Sequence, residues 1–239
     1  MSDFNVDTVI IGAGVVGLAI GLELLKENKD VLIVESEDDF GKITSSRNSG
    51  VIHAGIYYPQ NSLKSKFCVT GNKLLYDYCK KFSVPHLNTK KLLVASSLDQ
   101  IKIIDRIKDR AISNGVEDIK KISKNEVMKL EPLIDCEEAL LVPSSGIVDA
   151  IYLMRSLVGQ IEDLGGMISY KSNIKQIDID NQKFRLSIMS DSETIIECNQ
   201  LINSAGIYAE EVAKKIKQLN VNLIPKTYFA KGNYFSSSK

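Results

Sequence analysis

Three glycines near the N-terminus constrain the fold more than any other feature of this sequence. Gly12, Gly14 and Gly17 have the spacing G-x-G-x-x-G. The β-branched run Thr8 to Ile11 precedes them and predicts a buried strand, and apolar residues at helical spacing follow them. A second apolar strand at Val31 to Val34 completes a β-α-β unit. Such a unit places a glycine-rich turn at the N-terminus of its helix, where backbone N–H groups can bind a phosphate.

An acidic residue strengthens this interpretation. Glu35 ends the second predicted strand, about 20 residues after the glycines, where a carboxylate can accept both ribose hydroxyls of a dinucleotide. Gly12 allows the tight turn, Gly14 lets the pyrophosphate approach the backbone, and Gly17 lets helix and strand pack closely. The strand, helix, spacing and acid together predict a dinucleotide site. The β-α-β unit alone does not distinguish NAD from FAD.

Composition argues against several classes of partner and site. The 239 residues contain 30 Lys and Arg and 30 Asp and Glu, and this zero balance offers no electrostatic attraction for nucleic acid or an anionic membrane. The four cysteines form no C-x-x-C pair and only two histidines are present, so no metal site is predicted. The longest apolar run, Val9 to Ile20, is shorter than the roughly 20 residues that span a bilayer. We therefore expect a cytoplasmic protein with reduced cysteines.

Further along the chain, helical and strand-like patterns alternate. Helices are predicted at about Leu63 to Phe82, Leu98 to Asn114 and Ala150 to Leu164, and from Ser204-Ala205-Gly206 to about Lys217. Strands are predicted at Leu92 to Ala95, Met167 to Asp178, Phe184 to Met189, Thr194 to Cys198 and Leu201 to Asn203. This order indicates a nucleotide-binding domain that is interrupted in sequence by a second domain.

The loop after Glu35 carries a more specific pattern. The stretch Gly41 to Gly55 reads GKITSSRNSGVIHAG and is rich in hydrogen-bond donors, where a second phosphate and a flavin ring would pass. With the GAGVVG turn, the segment SSRNSGVIHAGIYYP resembles the D-amino-acid-oxidase-type superfamily of FAD oxidoreductases. Within it, the L-2-hydroxyglutarate dehydrogenase/oxidase group is most similar. The resemblance continues through LEP, SGIVD, INSAG and KGNYF, the last at Lys231 to Phe235.

This resemblance implies the fold and its division. The fold class is α/β, with a Rossmann-like FAD-binding domain and a discontinuous, β-rich (α+β) substrate domain. We expect the FAD-binding domain at 1–84 and 143–219, and the substrate domain at 85–142 with a second segment that begins at 220–239. Members of the group continue well beyond KGNYF, so we expect the chain to be truncated at its C-terminus.

The resemblance also implies how FAD is held, without a covalent bond. Arg47 stands where the group often has His. The residues expected to contact the cofactor belong to the glycine turn, the acid and the serine after it, the serine-rich loop, the backbone near Ile174 on the adenine side, and one later turn. They are Gly12, Gly14, Gly17, Glu35, Ser36, Ser45, Ser46, Arg47, Asn48, Ser49, Ile174, Ser204, Ala205 and Gly206.

Candidate substrate-site residues follow the serine-rich loop. His53 is the catalytic candidate, as a base that takes the substrate hydroxyl proton, because its ordinary pKa of about 6.5 suits that role. Two alternatives stay open for it: covalent attachment to the flavin, and a packed structural histidine. Tyr57 and Tyr58 either line the substrate pocket or belong to the core, and Lys231 either pairs with a substrate carboxylate or is solvated.

The implied reaction is the oxidation of a short 2-hydroxy acid, with L-2-hydroxyglutarate as first candidate, by hydride transfer to flavin N5. A quinone or oxygen would accept the electrons, which could bring the protein to the inner face of a membrane. Two other functions stay open. An amino-acid or amine oxidase of the glycine or sarcosine oxidase type would share every FAD motif, and a truncated, non-catalytic remnant would bind nucleotide without turnover.

Overall fold

A computed structural model describes residues 2–234, which form twelve strands and six α-helices. The strands are β1 (Phe4–Ile11), β2 (Val31–Val34), β3 (Val51–Ile52), β4 (His86–Leu87), β5 (Lys91–Ala95), β6 (Lys120–Ser123), β7 (Glu138–Val142), β8 (Gly146–Val148), β9 (Met167–Ser169), β10 (Asn173–Asp180), β11 (Lys183–Met189) and β12 (Glu193–Asn203). The helices are α1 (Val15–Lys26), α2 (Leu63–Lys81), α3 (Leu98–Ser113), α4 (Lys124–Leu130), α5 (Ala150–Asp163) and α6 (Ala209–Lys214).

The chain folds into two compact units. Among the described residues, unit 1 contains 2–47 and 154–234, and unit 2 contains Asn48–Leu153. These boundaries differ from the domain boundaries predicted at 84/85 and 142/143. Residues 48–84 group with unit 2 because Ala54, Ile56 and the α2 residue Val69 pack into its core. The assignment of segments to FAD and substrate stays a prediction.

Unit 1 is built on a six-stranded sheet with the order β10-β11-β12-β1-β2-β9. The neighbours β12, β1, β2 and β9 are parallel, whereas β10, β11 and β12 are antiparallel. All four residues of β2 are buried, as expected for a parallel strand covered on both faces. The prediction of an α/β fold with a Rossmann-like core is confirmed.

Alternate residues of β1 face opposite layers. Val9 and Ile11 join the core cluster that includes Ile177 and Val212. The α1 layer covers the other face, where a Cβ on Gly21 would lie 2.9 Å from the Ile33 side chain. A glycine at this position therefore brings α1 close to the sheet.

Three predicted elements differ from the structure. Thr194 to Cys198 and Leu201 to Asn203 belong to one strand, β12, because its pairing with β1 continues through the polar residues between them. Met167 to Asp178 is divided into β9 and β10 by a bend in which Lys171 has a φ of 50°. The predicted helix to Lys217 is a 3-10 turn at Gly206–Tyr208 followed by the short α6.

Unit 2 contains two three-stranded antiparallel sheets, with the orders β3-β8-β4 and β5-β7-β6. One face of the second sheet packs on α3, with Leu140, Val142 and Ile104 buried between them. Its opposite face packs on α4 through Ala139 and Val127. These short strands support the segment that contains His53.

Candidate dinucleotide-binding site

The turn between β1 and α1 requires glycine at two positions for reasons of backbone geometry. Gly12 has a φ of +105°, and a Cβ there would lie 2.6 Å from the carbonyl oxygen of Ser204. A Cβ on Gly17 would lie 2.0 Å from the carbonyl oxygen of Gly12. Both contacts are with backbone atoms, which cannot move aside without displacing a strand or the helix. The tight turn and close helix packing that the sequence analysis assigned to these glycines therefore have a direct steric cause.

Gly14 has a different environment. It is the N-cap of α1 with a φ of −76° and a ψ of 172°, which any residue can adopt. A Cβ there would meet only the Ser45 side-chain oxygen, at 3.0 Å. That hydroxyl also accepts a hydrogen bond from the Val15 N–H, at 3.0 Å. The space beside Gly14 thus lies at a helix N-terminus, where N–H groups and the helix dipole favour a phosphate.

Glu35 is held in a fixed orientation at the end of β2. The residue is only 8% exposed. Its Oε2 accepts a hydrogen bond from the Ala13 N–H at 2.7 Å, and its Oε1 accepts from the Ser36 hydroxyl at 3.1 Å and the Glu37 N–H at 2.9 Å. Because a carboxylate has about four lone-pair sites and three are used here, Oε2 can still accept one hydrogen bond, such as one from a ribose hydroxyl.

These groups line one cavity of about 360 Å³ within unit 1. The predicted cofactor residues that line it are Gly12, Gly14, Glu35, Ser36, Ser45, Ile174, Ser204, Ala205 and Gly206. A helix N-terminus that can bind a phosphate beside Gly14, an oriented carboxylate and a cavity of this size fit the ADP portion of FAD. Which of these residues contact the cofactor stays a prediction.

Five predicted cofactor residues do not line this cavity. Gly17 acts through packing, and the Ser46 hydroxyl donates to the carbonyls of Lys42 and Ile43 within its own loop. Arg47, Asn48 and Ser49 are exposed, and the last two belong to unit 2.

The cavity also contains residues that the sequence analysis missed. Thr44, Tyr208 and Lys215 line it. The Lys215 ammonium donates to the carbonyl oxygen of Ile174 at 2.6 Å, which joins the end of α6 to the start of β10 on the expected adenine side. No sequence pattern marks Lys215, because its partner lies 41 residues away.

His53 follows β3 in unit 2, and the residue is exposed in part. Partial burial lowers the pKa of the imidazole, and the nearby charge of Lys91 lowers it further. The His53 carbonyl accepts a hydrogen bond from the Asn72 side chain at 3.1 Å, which fixes its backbone to α2. A histidine with this pKa shift is neutral near pH 7 and can accept a proton.

The other predicted substrate residues lie in both units. Tyr57 is 43% exposed and Tyr58 is half-buried, and both belong to unit 2. Lys231 belongs to unit 1, where it is exposed on an irregular segment. Phe235, the end of the KGNYF match, lies outside the described residues.

Residues 7–239 match the DAO family, described as FAD dependent oxidoreductase. The chain belongs to this family. The sequence-based expectations of the superfamily and of FAD as its cofactor are confirmed by this match, and they agree with the cradle around Gly14.

Two curated relatives illustrate the similarity. The chain is 37% identical to the mitochondrial L-2-hydroxyglutarate dehydrogenase of Arabidopsis thaliana, over 98% of this chain and 54% of that protein. It is 32% identical to L-2-hydroxyglutarate dehydrogenase of Indibacter alkaliphilus, over 99% of this chain and 58% of that protein. The chain thus spans a little over half the length of these relatives.

Solved structures show the same fold. L-α-glycerophosphate oxidase from Mycoplasma pneumoniae with FAD bound has a TM-score of 0.83 and 27% identity, covering 89% of this chain and 57% of that one. Glycine oxidase from Geobacillus kaustophilus has a TM-score of 0.79 and 20% identity, covering 89% and 58%. The second likeness concerns the fold alone. Within residues 2–234, none of the helices combines the length and apolar character needed to cross a bilayer.

Proposed function

We propose that the protein is an FAD-dependent dehydrogenase or oxidase that converts L-2-hydroxyglutarate to 2-oxoglutarate. The observation that carries this proposal is the 37% identity to a plant L-2-hydroxyglutarate dehydrogenase over 98% of the chain. The cavity in unit 1 supports it, because a cradle for the ADP portion of FAD is the part of such an enzyme that the Rossmann-like sheet supplies.

In this proposal, residues of unit 1 bind the cofactor. The N–H groups at the start of α1 would bind the pyrophosphate beside Gly14, and Glu35 Oε2 would accept a hydrogen bond from the adenosine ribose. The backbone near Ile174 would contact the adenine, and the turn Ser204 to Gly206, which lines the same cavity, would contact another part of the cofactor. Bound FAD supplies the acceptor for the hydride that leaves the substrate carbon.

In this proposal, a residue of unit 2 accepts the proton of the substrate hydroxyl. In the proposed step the C–H bond breaks as a hydride, the O–H bond gives its proton to an imidazole nitrogen of His53, and the carbonyl double bond forms. The lowered pKa of His53 keeps the imidazole neutral near pH 7 and therefore ready to accept that proton. Tyr57, Tyr58 and Lys231 are further proposed contacts of the substrate.

The electron acceptor and the cellular place are parts of the same proposal. A quinone or oxygen would take the electrons onward, and the protein would act in the cytoplasm or at the inner face of a membrane. We propose no nucleic-acid partner, because the chain has no net charge at pH 7.

A substrate panel tests this function. The purified protein should be yellow, and under anaerobic conditions its flavin should be reduced by L-2-hydroxyglutarate and not by the D-enantiomer, glycine or sarcosine. Absorbance in the visible range measures both properties. Reduction by glycine or sarcosine alone would replace the proposal with an amine oxidase. A colourless soluble protein, or a yellow protein that none of these substrates reduces, would favour a non-catalytic nucleotide-binding chain.

A further inference from the structure

Unit 2 contains a half-buried lysine whose charge is not paired with any carboxylate of the described residues. Lys91 is the first residue of β5. Within residues 2–234, no carboxylate oxygen lies within 4.0 Å of its ammonium group. Lys121, on β6 of the same sheet, contrasts with it, because Asp105 and Glu138 each lie 2.8 Å from its ammonium nitrogen. A half-buried cation without an anion is suited to receive one from a ligand.

The surroundings of Lys91 are the residues already proposed for the substrate. Its Nζ lies 6.0 Å from the centroid of the Tyr57 ring, within reach of a cation–π interaction. The same charge lowers the pKa of His53 and opposes the effect of burial on the Cys68 thiol. The ammonium group therefore lies beside the Tyr57 ring, and it is near enough to the His53 imidazole for its charge to lower the pKa of that group.

The backbone that carries His53 and Tyr57 is fixed by two helices. The Asn72 side chain on α2 donates to the His53 carbonyl at 3.1 Å. The Asn114 side chain, at the end of α3, donates to the carbonyls of Gly55 at 3.2 Å and Tyr58 at 2.9 Å. Groups held in this way lose little freedom when a ligand binds, which favours a preformed site.

We propose that Lys91 binds a carboxylate of the substrate beside His53 and Tyr57. The inference rests on the proposed function, since it assigns the anion-binding group of the same reaction. An ammonium ion there serves two purposes: it pairs with the carboxylate, and its charge favours the neutral imidazole that accepts the hydroxyl proton. Lys231, the lysine that the sequence analysis selected, lies on an irregular exposed segment. The ligand class is a 2-hydroxy acid or a related dicarboxylate.

The test uses the FAD-loaded full chain with glutarate, a dicarboxylate that lacks the hydroxyl to be oxidised. Calorimetry measures glutarate affinity, and flavin reduction by L-2-hydroxyglutarate measures KM and kcat. Lys91→Met should weaken glutarate binding and raise KM about tenfold or more, the loss expected for one charge-assisted hydrogen bond, with a smaller change in kcat. Lys91→Arg should restore most of the affinity, and Lys102→Met, a matched change at an exposed lysine of α3, should bind as the wild type does.

A labelling experiment keeps the inference testable if Lys91→Met folds poorly. Glutarate should protect Lys91 of the wild type from an amine-reactive anhydride and leave Lys102 unprotected, as mass spectrometry of peptides would show. Equal labelling of Lys91 with and without glutarate, or unchanged glutarate affinity in Lys91→Met, would overturn the inference. Lys91-dependent glutarate binding without flavin reduction by L-2-hydroxyglutarate would instead contradict the proposed function alone.

Discussion

At the residue scale, the environment of His53 predicts how the reaction depends on pH. A base must be neutral to act, and burial and the Lys91 charge both lower the pKa of this imidazole below its ordinary value of about 6.5. The rate of flavin reduction should therefore fall as the pH decreases through this lowered pKa and be level near pH 7. His53→Ala should cut the rate by about 10²–10⁴ and remove this acid limb while FAD stays bound.

Stopped-flow absorbance between pH 5 and 8 measures how the rate of flavin reduction depends on pH. Acid precipitation tests the alternative that His53 is covalently attached to the flavin. If His53 were attached to the flavin, the precipitate of the wild type would stay yellow and that of His53→Ala would not. A variant that retains FAD and reduces at the wild-type rate would exclude His53 as the base.

At the scale of elements, glycine-to-alanine substitutions in the turn before α1 should lower stability at one position and weaken FAD binding at another. Gly17→Ala places a Cβ 2.0 Å from a backbone oxygen, so the helix must shift, at a cost of about 1–3 kcal/mol or more in unfolding free energy. Gly14→Ala meets only a serine hydroxyl, at 3.0 Å, so it should leave the stability of the FAD-free protein nearly unchanged and weaken FAD binding. Denaturant unfolding and flavin-fluorescence titration measure the two quantities.

Gly159→Ala on α5 is the matched control, because a Cβ there has no atom within 4 Å. This control should bind FAD normally and be more stable by about 0.5–1 kcal/mol, since alanine favours a helix interior. Wild-type FAD affinity in Gly14→Ala would show that no phosphate approaches the turn at this point.

At the scale of the whole molecule, FAD should stabilise the folded state by mass action. At a free concentration 100 times its Kd, the expected gain is about 2.7 kcal/mol. Amide hydrogen exchange should slow on FAD addition in segments that line the cavity, around Gly14, Glu35, Ile174 and Gly206. Glu35→Ala should reduce both the thermal shift and the protection, whereas Glu23→Ala, on the exposed side of α1, should reduce neither. Unchanged exchange in these segments at saturating FAD would contradict the assignment of the cavity.

Much of unit 1 could be predicted from local patterns. The glycine spacing, the apolar runs and the acid indicated β1, α1, β2 and the wall of the cavity around Glu35. Each of these signals depends on backbone sterics or side-chain periodicity over a few residues, and such effects do not require knowledge of the rest of the fold. The domain boundaries were less predictable, because residues 48–84 lie with unit 2 through packing of Val69 rather than through any local change in composition.

The sequence by itself thus determined the β-α-β unit, the cofactor class and the family. Only the tertiary structure decided which distant residues come together: Lys215 against Ile174, and Lys91 beside Tyr57. The reason is physical. Glycine turns and apolar periodicity reflect short-range geometry, whereas the position of a lysine side chain depends on the order of strands and on the helices that pack against them, which no short stretch of sequence specifies.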